Sequence, residues 1–187
     1  MLSNGGLLYG CKVKNKGNGN TIILSEGSVL KNCIISFCGN NNTIIIGKNA
    51  SIVNSVFCFE NDQNRILIGD DSKVCGRNEF ACIEGTEIII GSNCLFSGNI
   101  YFRTGDSHSV LDLNENRINP SCSIVIGDHV WICQGAIITK GVHIADNSII
   151  GIGAVVTRSF SETNIAIGGN PAKCIKQNIN WNEERFL

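Results

Sequence analysis

The chain contains three histidines, and histidine is the side chain best suited to exchange a proton near neutral pH. His108 lies in a segment without a repeat, beside Asp106 and between two serines. His129 and His143 fall inside a regular repeat, at positions expected to face outward. Because catalytic groups concentrate on loops held by a rigid scaffold, His108 is a candidate general base, with an ordinary surface histidine as the alternative. Asp106 either orients this imidazole or forms a turn.

Ten cysteines are scattered along the chain, from Cys11 to Cys174. None forms a Cys-x-x-Cys pair, and the closest two are Cys33 and Cys38. A free cysteine behaves as a small buried hydrophobe. We therefore expect most of them to fill the core or its corners in a reducing compartment, rather than to form disulfides or bind a metal.

The elements that must position these residues follow a strict period of six from residue 126 onward. Large apolar residues recur at Ile126, Ile132, Ile138, Ile144, Ile150 and Val156. Four residues after each of the first five comes a smaller one: Val130, Ala136, Val142, Ser148 or Ala154. Neither a helix nor a single strand has this period. A coil that turns a corner every six residues has this period. Three sides then make an 18-residue turn, and each large residue should stack on the one 18 positions later.

A longer repeat precedes this region. Residues 17–24 are echoed by residues 39–46, and more loosely by residues 61–68 and 83–90, each 22 residues further on. Twenty-two is three sides of six plus a four-residue bulge at one corner. The bulges carry Gly and Asn, the residues that best tolerate a left-handed backbone.

The repeat is interrupted once. Ile90 and Ile126 are 36 residues apart, which is 22 plus 14, so one turn carries an extra loop at about residues 105–121 that contains His108. The count predicts an all-β, three-sided prism of about six turns over residues 17–161. Residues 1–16 should form an irregular lead-in. Residues 162–187 should form a turn and a short helix or arm that caps the last coil, with an amphipathic close at Ile175, Ile179, Trp181 and Phe186.

The overall composition narrows the class of protein. A net charge of -1 gives no reason to expect nucleic acid or an anionic membrane as the main partner. No apolar run approaches the roughly 20 residues of a transmembrane helix. The first residues lack the basic and long apolar regions of a signal peptide. We therefore expect a soluble, cytoplasmic domain.

Three short motifs resemble those of the hexapeptide-repeat acyltransferases: residues 126–132 (IGDHVWI), 151–157 (GIGAVVT) and 168–173 (GGNPAK). The segments Gly-Asp-Ser-His at 105–108 and Arg-Ile-Asn at 117–119 resemble the family's active-site loop, most closely that of sugar and polysaccharide O-acetyltransferases. The resemblance implies a left-handed parallel β-helix and a homotrimer with active sites between subunits. It also implies direct transfer of an acetyl group from acetyl-CoA to a sugar hydroxyl of a cell-surface or capsular glycan, with His108 as general base and no metal.

The resemblance also assigns residues to the cofactor. The matching positions are Gln134, Gly135, Ile152, Gly153, Thr157, Arg158, Lys173 and Lys176. The amide that meets the thioester carbonyl falls at Gln134 or Gly135, and the lysines would meet phosphate. Trp131 would line the cleft or pack between subunits, and Asn119 would contact the substrate. Cys133 stands where relatives often have glycine, and we expect it to fill space rather than to act as a nucleophile, because the family transfers the acyl group directly.

Two other functions remain alternatives. The same coil type supports zinc-dependent carbonic anhydrases of the gamma class, but the three histidines here are 21 and 14 residues apart and lack that family's His-x4-His element. The second alternative is a non-catalytic solenoid. An ice-binding solenoid would need flat rows of threonine, and a scaffold would have no use for the His108 loop.

Overall fold

A computed structural model describes residues 2–3 and 5–185, and all regular secondary structure in these ranges is β. The strands follow one another three to a coil through seven coils, and a final pair closes the chain. The first four coils contain β1 (Leu2–Ser3), β2 (Leu7–Tyr9), β3 (Lys12–Asn15), β4 (Thr21–Leu24), β5 (Val29–Lys31), β6 (Ile34–Phe37), β7 (Thr43–Ile46), β8 (Ser51–Val53), β9 (Val56–Phe59), β10 (Arg65–Ile68), β11 (Lys73–Val74) and β12 (Glu79–Cys82). The next three contain β13 (Glu87–Ile90), β14 (Leu95–Phe96), β15 (Tyr101–Arg103), β16 (Ile124–Ile126), β17 (Trp131–Ile132), β18 (Ile137–Ile138), β19 (His143–Ile144), β20 (Ile149–Ile150) and β21 (Val155–Val156). The final pair is β22 (Ala166–Gly169) and β23 (Ala172–Lys176). The described residues include no helix that is long and apolar enough to cross a bilayer.

Equivalent strands of successive coils pair in parallel and form the three faces of a prism. The first face contains β1, β4, β7, β10, β13, β16 and β19. The second contains β2, β5, β8, β11, β14, β17, β20 and β22, with β23 added antiparallel to β22. The third contains β3, β6, β9, β12, β15, β18 and β21. We call the corners between these faces the 1–2 edge, the 2–3 edge and the 3–1 edge.

The strand register confirms the stacking that the six-residue period predicts. Ile126 pairs with Ile144, Ile132 with Ile150 and Ile138 with Val156. The 22-residue repeat is confirmed in the same way, by the ladder Leu24, Ile46, Ile68, Ile90 and Ile126 on the first face. The long loop therefore leaves the prism at the 3–1 edge, between β15 and β16, without breaking the register.

The core along the prism axis contains the residue types that the six-residue period predicts. The five smaller residues of the later coils are fully buried at the corners. In the wider coils, phenylalanines fill the extra space: Phe57 stacks on Phe80 at 5.2 Å between ring centroids, and Phe80 on Phe102 at 4.9 Å. Burial of these rings in a continuous column gives the loop a rigid base.

The corners use asparagine as the sequence predicts. Nine asparagines in the described ranges have positive φ, between 54° and 59°. At the 3–1 edge, buried asparagines also form a ladder along the prism axis. The amide of Asn42 donates to Asn20 Oδ1 at 2.8 Å, that of Asn64 to Asn42 Oδ1 at 2.9 Å, and that of Thr86 to Asn64 Oδ1 at 3.1 Å. Thr86 in turn donates its hydroxyl to Thr104 at 2.6 Å, immediately before the loop.

Removal of one rung of this ladder should destabilise the fold measurably. Asn64→Ala leaves the buried amide of Thr86 without an acceptor, and we expect it to lower the free energy of unfolding by about 2 kcal/mol. Asn114→Ala, on the exposed loop, is the matched control and should change it by less than about 0.5 kcal/mol. Urea titration monitored by circular dichroism measures both, and equal stabilities for the two variants would contradict a structural role for the ladder.

The N-terminal lead-in differs from the prediction. Residues 2–3 and 5–15 are not irregular, because β1, β2 and β3 pair with β4, β5 and β6 and form a coil. The prism therefore has seven coils rather than about six. This coil lies at the open end of the prism, where its outward residues mix apolar side chains such as Leu7 and Tyr9 with Lys12 and Lys14, so its sequence does not show the six-residue pattern.

The C-terminal segment is an arm without a helix in the described ranges. Its first part, β22, pairs with β20 of the last coil, and after the hairpin of β22 and β23 the chain runs back along the prism toward earlier coils. The Trp181 Nε1 donates to the carbonyl of His129 at 2.9 Å, and Glu183 pairs with Lys73 of β11 at 2.6 Å. Phe186, which the sequence assigned to the amphipathic close, lies outside the described residues.

Candidate active site

The loop at residues 105–121 is a short, well-bonded hairpin. Leu111 and Arg117 form an antiparallel bridge, and the carboxylate of Asp112 accepts hydrogen bonds from the amides of Asn114 at 2.8 Å and Asn116 at 2.9 Å. These hydrogen bonds fix the tip of the loop. The loop therefore projects from the prism as an ordered arm.

Two ion pairs anchor the loop to earlier coils. Arg117 binds Glu84 at 2.7 Å, and this hydrogen bond, with a smaller contribution from Ser121, lowers the pKa of the Glu84 carboxyl to about 2. Arg103, at the end of β15, binds Glu60 at 2.7 Å and also contacts the hydroxyl of Ser107. Both anchors lie along the 3–1 edge, so the first residues of the loop are held at that edge.

Asp106 and Asn119 hold the backbone around the candidate base. The Asp106 Oδ2 accepts from Lys140 Nζ at 2.5 Å and from Asn119 Nδ2 at 2.8 Å, and the hydrogen bond from Lys140 is the main reason that the pKa of this carboxyl is lowered. Asn119 Nδ2 also donates to the carbonyl of His108 at 2.8 Å, and its Oδ1 accepts from the amide of Val110 at 2.7 Å. Of the two roles open to Asp106, a hydrogen bond to the His108 ring is not present among the described residues. Asn119, predicted to bind substrate, is buried with its amide fully used inside the loop.

His108 itself is exposed, and its ring makes no hydrogen bond to any described residue. Only its backbone is held, through Asn119. The imidazole is thus presented to solvent from a fixed position at the 3–1 edge, with both ring nitrogens open to a ligand or to a second chain.

The other two histidines are placed differently. His129, at a 1–2 corner with φ of 54°, has Nδ1 3.0 Å from Asn147 Oδ1 and stacks on Trp181 at 4.2 Å between ring centroids. His143 begins β19 on the first face and is exposed. The described residues contain no group of three His, Cys, Asp or Glu side chains that could hold a metal ion.

The 2–3 edge distinguishes the two candidate donors for the thioester carbonyl. The amide of Gly135 donates to the carbonyl of Gly98 at 3.1 Å and is therefore already used. The amide of Gln134 donates to no described residue, although its carbonyl accepts from Gly153 at 2.9 Å. Of the two amides that the family resemblance left open, Gln134 is the one available to a ligand.

The remaining predicted cofactor residues are divided between two edges and the hairpin. Gly153 and the exposed Ile152 stack beside Gln134 at the 2–3 edge, whereas Thr157 and Arg158 lie at the 3–1 edge. There the Arg158 guanidinium lies 5.1 Å from the centroid of the Phe160 ring. Lys173 and Lys176 are exposed on β23, on the second face. One chain therefore does not bring all of these residues to one site.

Trp131 projects outward from the second face, as the width of the prism predicts. It is half-buried, while its neighbour Ile132 is in the core. Its indole lies 6.0 Å from that of Trp181 in the C-terminal arm, with the two rings tilted by 43°. The second face thus carries an aromatic pair on its 1–2 side, on the coil whose 2–3 corner holds Gln134.

All ten cysteines are free, as expected, but their burial varies. Cys33, Cys82 and Cys94 are buried, and burial raises the pKa of Cys33 to about 12 and that of Cys94 to about 11. Four others are exposed at corners or on β23. Burial also raises the pKa of the Cys133 thiol, which leaves it protonated and favours a filling role over a nucleophilic one.

His108 and Gln134 lie at different edges of the same prism. The loop is anchored at the 3–1 edge by Glu60, Glu84 and Lys140, and the Gln134 amide lies at the 2–3 edge on the far side of the third face. A base and an oxyanion donor must be within a few ångströms of the same reacting carbon. A site that uses both therefore requires a second copy of the chain.

This fold is the left-handed parallel β-helix built from hexapeptide repeats. No family model matches the chain. The galactoside O-acetyltransferase of Escherichia coli K12 is 32% identical over 116 residues, which cover 59% of this chain and 56% of that protein. The polysialic acid O-acetyltransferase of Escherichia coli O1:K1 / APEC is 32% identical over 95 residues, 50% of this chain and 31% of that one.

The similarity extends further in three dimensions. The crystal structure of the polySia-specific acetyltransferase NeuO superimposes with a TM-score of 0.73 and 28% identity, over 94% of this chain and 90% of that one. These findings confirm the resemblance to the hexapeptide-repeat O-acetyltransferases that the sequence motifs indicate. The chain spans only 31% and 56% of the length of the two curated relatives.

Several residues around the site were not predicted from the sequence. Lys140 and Glu84, which brace the loop, come from coils on either side of it, and Trp181 comes from the C-terminal arm. Lys140 was recognisable in principle, because it occupies the 3–1 corner one coil after the loop and the repeat fixes that position. The contacts of Trp181 and Glu84 depend on side-chain directions that the repeat does not specify.

Proposed function

We propose that the protein is an acetyl-CoA-dependent O-acetyltransferase that modifies a sugar hydroxyl of a cell-surface or capsular glycan in the cytoplasm. The relatives that bear O-acetyltransferase names, and the similarity to NeuO over nearly the whole chain, support this class. The observation that carries the proposal is the exposed His108 imidazole on a loop whose backbone is fixed by Asn119 and whose base is anchored by two ion pairs. A scaffold would not need such an arm.

The reaction that this arrangement supports is a direct transfer. The His108 ring takes the proton of the sugar hydroxyl as its oxygen attacks the thioester carbonyl of acetyl-CoA. The amide of Gln134 donates to the oxyanion that forms. Collapse of the tetrahedral intermediate breaks the carbon–sulfur bond, and the departing thiolate of coenzyme A recovers the proton from the imidazolium. Asp106 acts through Asn119 and Lys140 by holding the loop backbone.

A homotrimer would complete the site. The loop presents Val110, Leu111, Leu113 and Ile118 to solvent, each at least half exposed, which is unusual for four large apolar residues in one arm. A neighbouring copy would cover them and bring its own 2–3 edge, with Gln134 and Trp131, toward His108. Cyclic symmetry then produces three equivalent sites, each shared by two chains.

Transfer of labelled acetyl groups tests the proposal directly. The protein is incubated with labelled acetyl-CoA and a panel of glycans, including galactosides and polysialic acid, and incorporation is measured by mass spectrometry. We expect acetyl esters on a sugar hydroxyl of at least one glycan class. Acetylation of no glycan, or transfer exclusively to amines, would contradict the proposed function.

The apolar arm provides a test of the trimer. Leu113→Ser removes the most exposed apolar side chain of the loop, and we expect the dissociation constant of the oligomer to rise at least about tenfold, because a leucine buried between subunits is lost. Leu113→Met preserves the apolar surface and should assemble normally. Sedimentation over a range of concentrations measures both variants. Identical assembly of Leu113→Ser and the unaltered chain would show that this residue does not contact a neighbour.

The hairpin lysine provides a test of the cofactor path. If Lys173 on β23 meets a phosphate of coenzyme A, Lys173→Ala should raise the apparent KM for acetyl-CoA by about tenfold and lower kcat much less. Lys14→Ala, on β3 at the opposite end of the prism, is the control and should change neither constant. Steady-state kinetics separates the two effects. A drop in kcat without a change in KM would argue against a phosphate contact.

A further inference from the structure

A groove of about 560 Å³ lies between the C-terminal arm and the 1–2 edge. Its wall on the prism side is a row of corner side chains from successive coils, Asn49, Asp71, Asn93 and His129. Trp181 of the arm forms the opposite wall. None of the residues that the family resemblance assigns to the reaction lies in this groove.

The groove presents polar groups at a regular spacing. Coils of a parallel β-helix repeat at about 4.8 Å, so the four corner residues form a ladder with one side chain per coil. The side-chain amide of Asn93 makes no hydrogen bond within the described chain, while its backbone N–H donates to the carbonyl of Asp70 at 2.9 Å. Asp71 uses Oδ1 to accept from Asn49 at 3.1 Å, and its other oxygen has no partner in the described ranges. A polymer whose repeating unit is about one coil in length, such as a chain of sugar rings, can satisfy such groups in turn.

The floor of the groove leads to the proposed reaction centre. Lys73, Leu95 and Trp131 occupy one row on the second face, because their strands pair in register. The proposed coenzyme A residues begin at Gln134, which follows Trp131 on the same coil, and continue to Lys176 on later coils. The donor would therefore occupy the C-terminal side of Trp131, and the groove lies on the N-terminal side, where an acceptor can approach.

The charges of the groove select among glycans. Lys73 is paired with Glu183 at 2.6 Å, which leaves Asp71 as the uncompensated charge. The cations at the base of the loop are also paired, Arg103 with Glu60 and Lys140 with Asp106. Lys73 is the one lysine or arginine among the described residues that line the groove, so a polyanion would meet the Asp71 carboxylate there without an unpaired cation in the lining to balance it.

We propose that this groove binds the acceptor glycan beyond its reacting sugar, and that the acceptor is a neutral oligosaccharide rather than a polyanionic one such as polysialic acid. This inference rests on the proposed function and specifies its substrate class. Trp181 provides an apolar ring against which a sugar can pack, and Asn93 and Asp71 provide hydrogen bonds to its hydroxyls. The reacting sugar itself is bound elsewhere, beside His108.

Binding to glycans of different length tests this inference. The CoA-loaded protein is titrated calorimetrically with single sugars and six-unit chains of galactose, glucose and sialic acid. We expect at least one neutral hexasaccharide to bind at least about fivefold more tightly than its monosaccharide, the factor that one hydrogen bond provides. Affinity that does not depend on length in any series, or that rises only in the sialic acid series, would overturn the inference.

Matched variants assign the effect to the groove. Asn93 has φ of 55°, so Asn93→Gly removes its side chain without backbone strain. We expect it to lower hexasaccharide affinity about fivefold and to leave monosaccharide affinity unchanged. Asn41→Gly, with φ of 56° at the 3–1 edge, is the control and should bind as the unaltered chain does. Equal losses in the two variants would contradict the inference.

The two levels of the proposal fail separately. If acetyl transfer to a monosaccharide is normal but chain length has no effect, the groove is not an acceptor site and the proposed function stands. If neutral chains bind with the expected length dependence but no acetyl group is transferred from acetyl-CoA to any sugar, the groove binds glycans and the proposed function fails.

Discussion

Replacement of His108 by alanine should lower kcat at least about a hundredfold, the usual scale of a general-base contribution. The ring makes no hydrogen bond within the described chain, so its removal disturbs no internal contact. The backbone of residue 108 stays bound to Asn119, because that contact uses the carbonyl oxygen. We therefore expect unchanged assembly and thermal unfolding, with an unchanged KM for acetyl-CoA. Steady-state kinetics and sedimentation measure these quantities together.

The matched control for this variant is His143→Ala. His143 is also exposed, at the start of β19 on the first face, and it is not among the residues assigned to the reaction. We expect its activity to be within about twofold of the unaltered chain, as for most surface substitutions. Equal activity in both histidine variants would contradict a general-base role for His108. A loss of assembly in His108→Ala that accounts for the lost turnover would contradict it as well.

Replacement of Gln134 by proline should lower kcat by about a hundredfold to a thousandfold, the range measured for the loss of one oxyanion donor. Proline removes the backbone N–H, and at this position the N–H has no partner in the described chain. Gln134 is not among the residues with positive φ, a region that proline cannot adopt. Kinetics with saturating acetyl-CoA measures the effect on the chemical step.

Gln134→Ala distinguishes the amide from the side chain. Alanine keeps the N–H and removes only an exposed side chain, so its kcat should remain within about threefold of the unaltered chain. If alanine and proline reduce kcat equally, the side chain is responsible. If neither does, the thioester carbonyl is not bound at this edge.

Much of the prism was predictable because one physical rule repeats. A side of six residues places one large apolar residue on the axis, and that rule fixed the pairing of Ile126 with Ile144 and of Ile90 with Ile126 across the inserted loop. The rule did not identify the first coil, because its exposed apolar residues, such as Leu7 and Tyr9, do not follow the period. It also gave no account of the C-terminal arm, because the arm is held by single contacts such as Trp181 with His129 rather than by a repeat.

The sequence singled out candidate site residues, but it did not indicate the contacts that these residues make. Position in the loop singled out His108, and the structure leaves its ring free and its backbone fixed. The Asp106 carboxylate accepts hydrogen bonds from Asn119 and Lys140, because a carboxylate binds the donors that the fold places beside it. The choice between the amides of Gln134 and Gly135 required the observation that Gly98 already accepts from Gly135.

The central claim is that His108 of one chain and Gln134 of another form one reaction centre. Chains carrying His108→Ala and chains carrying Gln134→Pro, each inactive alone, can be mixed in equal amounts, unfolded and reassembled together. In a randomly mixed cyclic trimer, about a quarter of the shared sites combine an intact His108 with an intact Gln134, and acetyl transfer should return to about that fraction of the unaltered activity. Mixed trimers that remain as inactive as either parent would contradict the account.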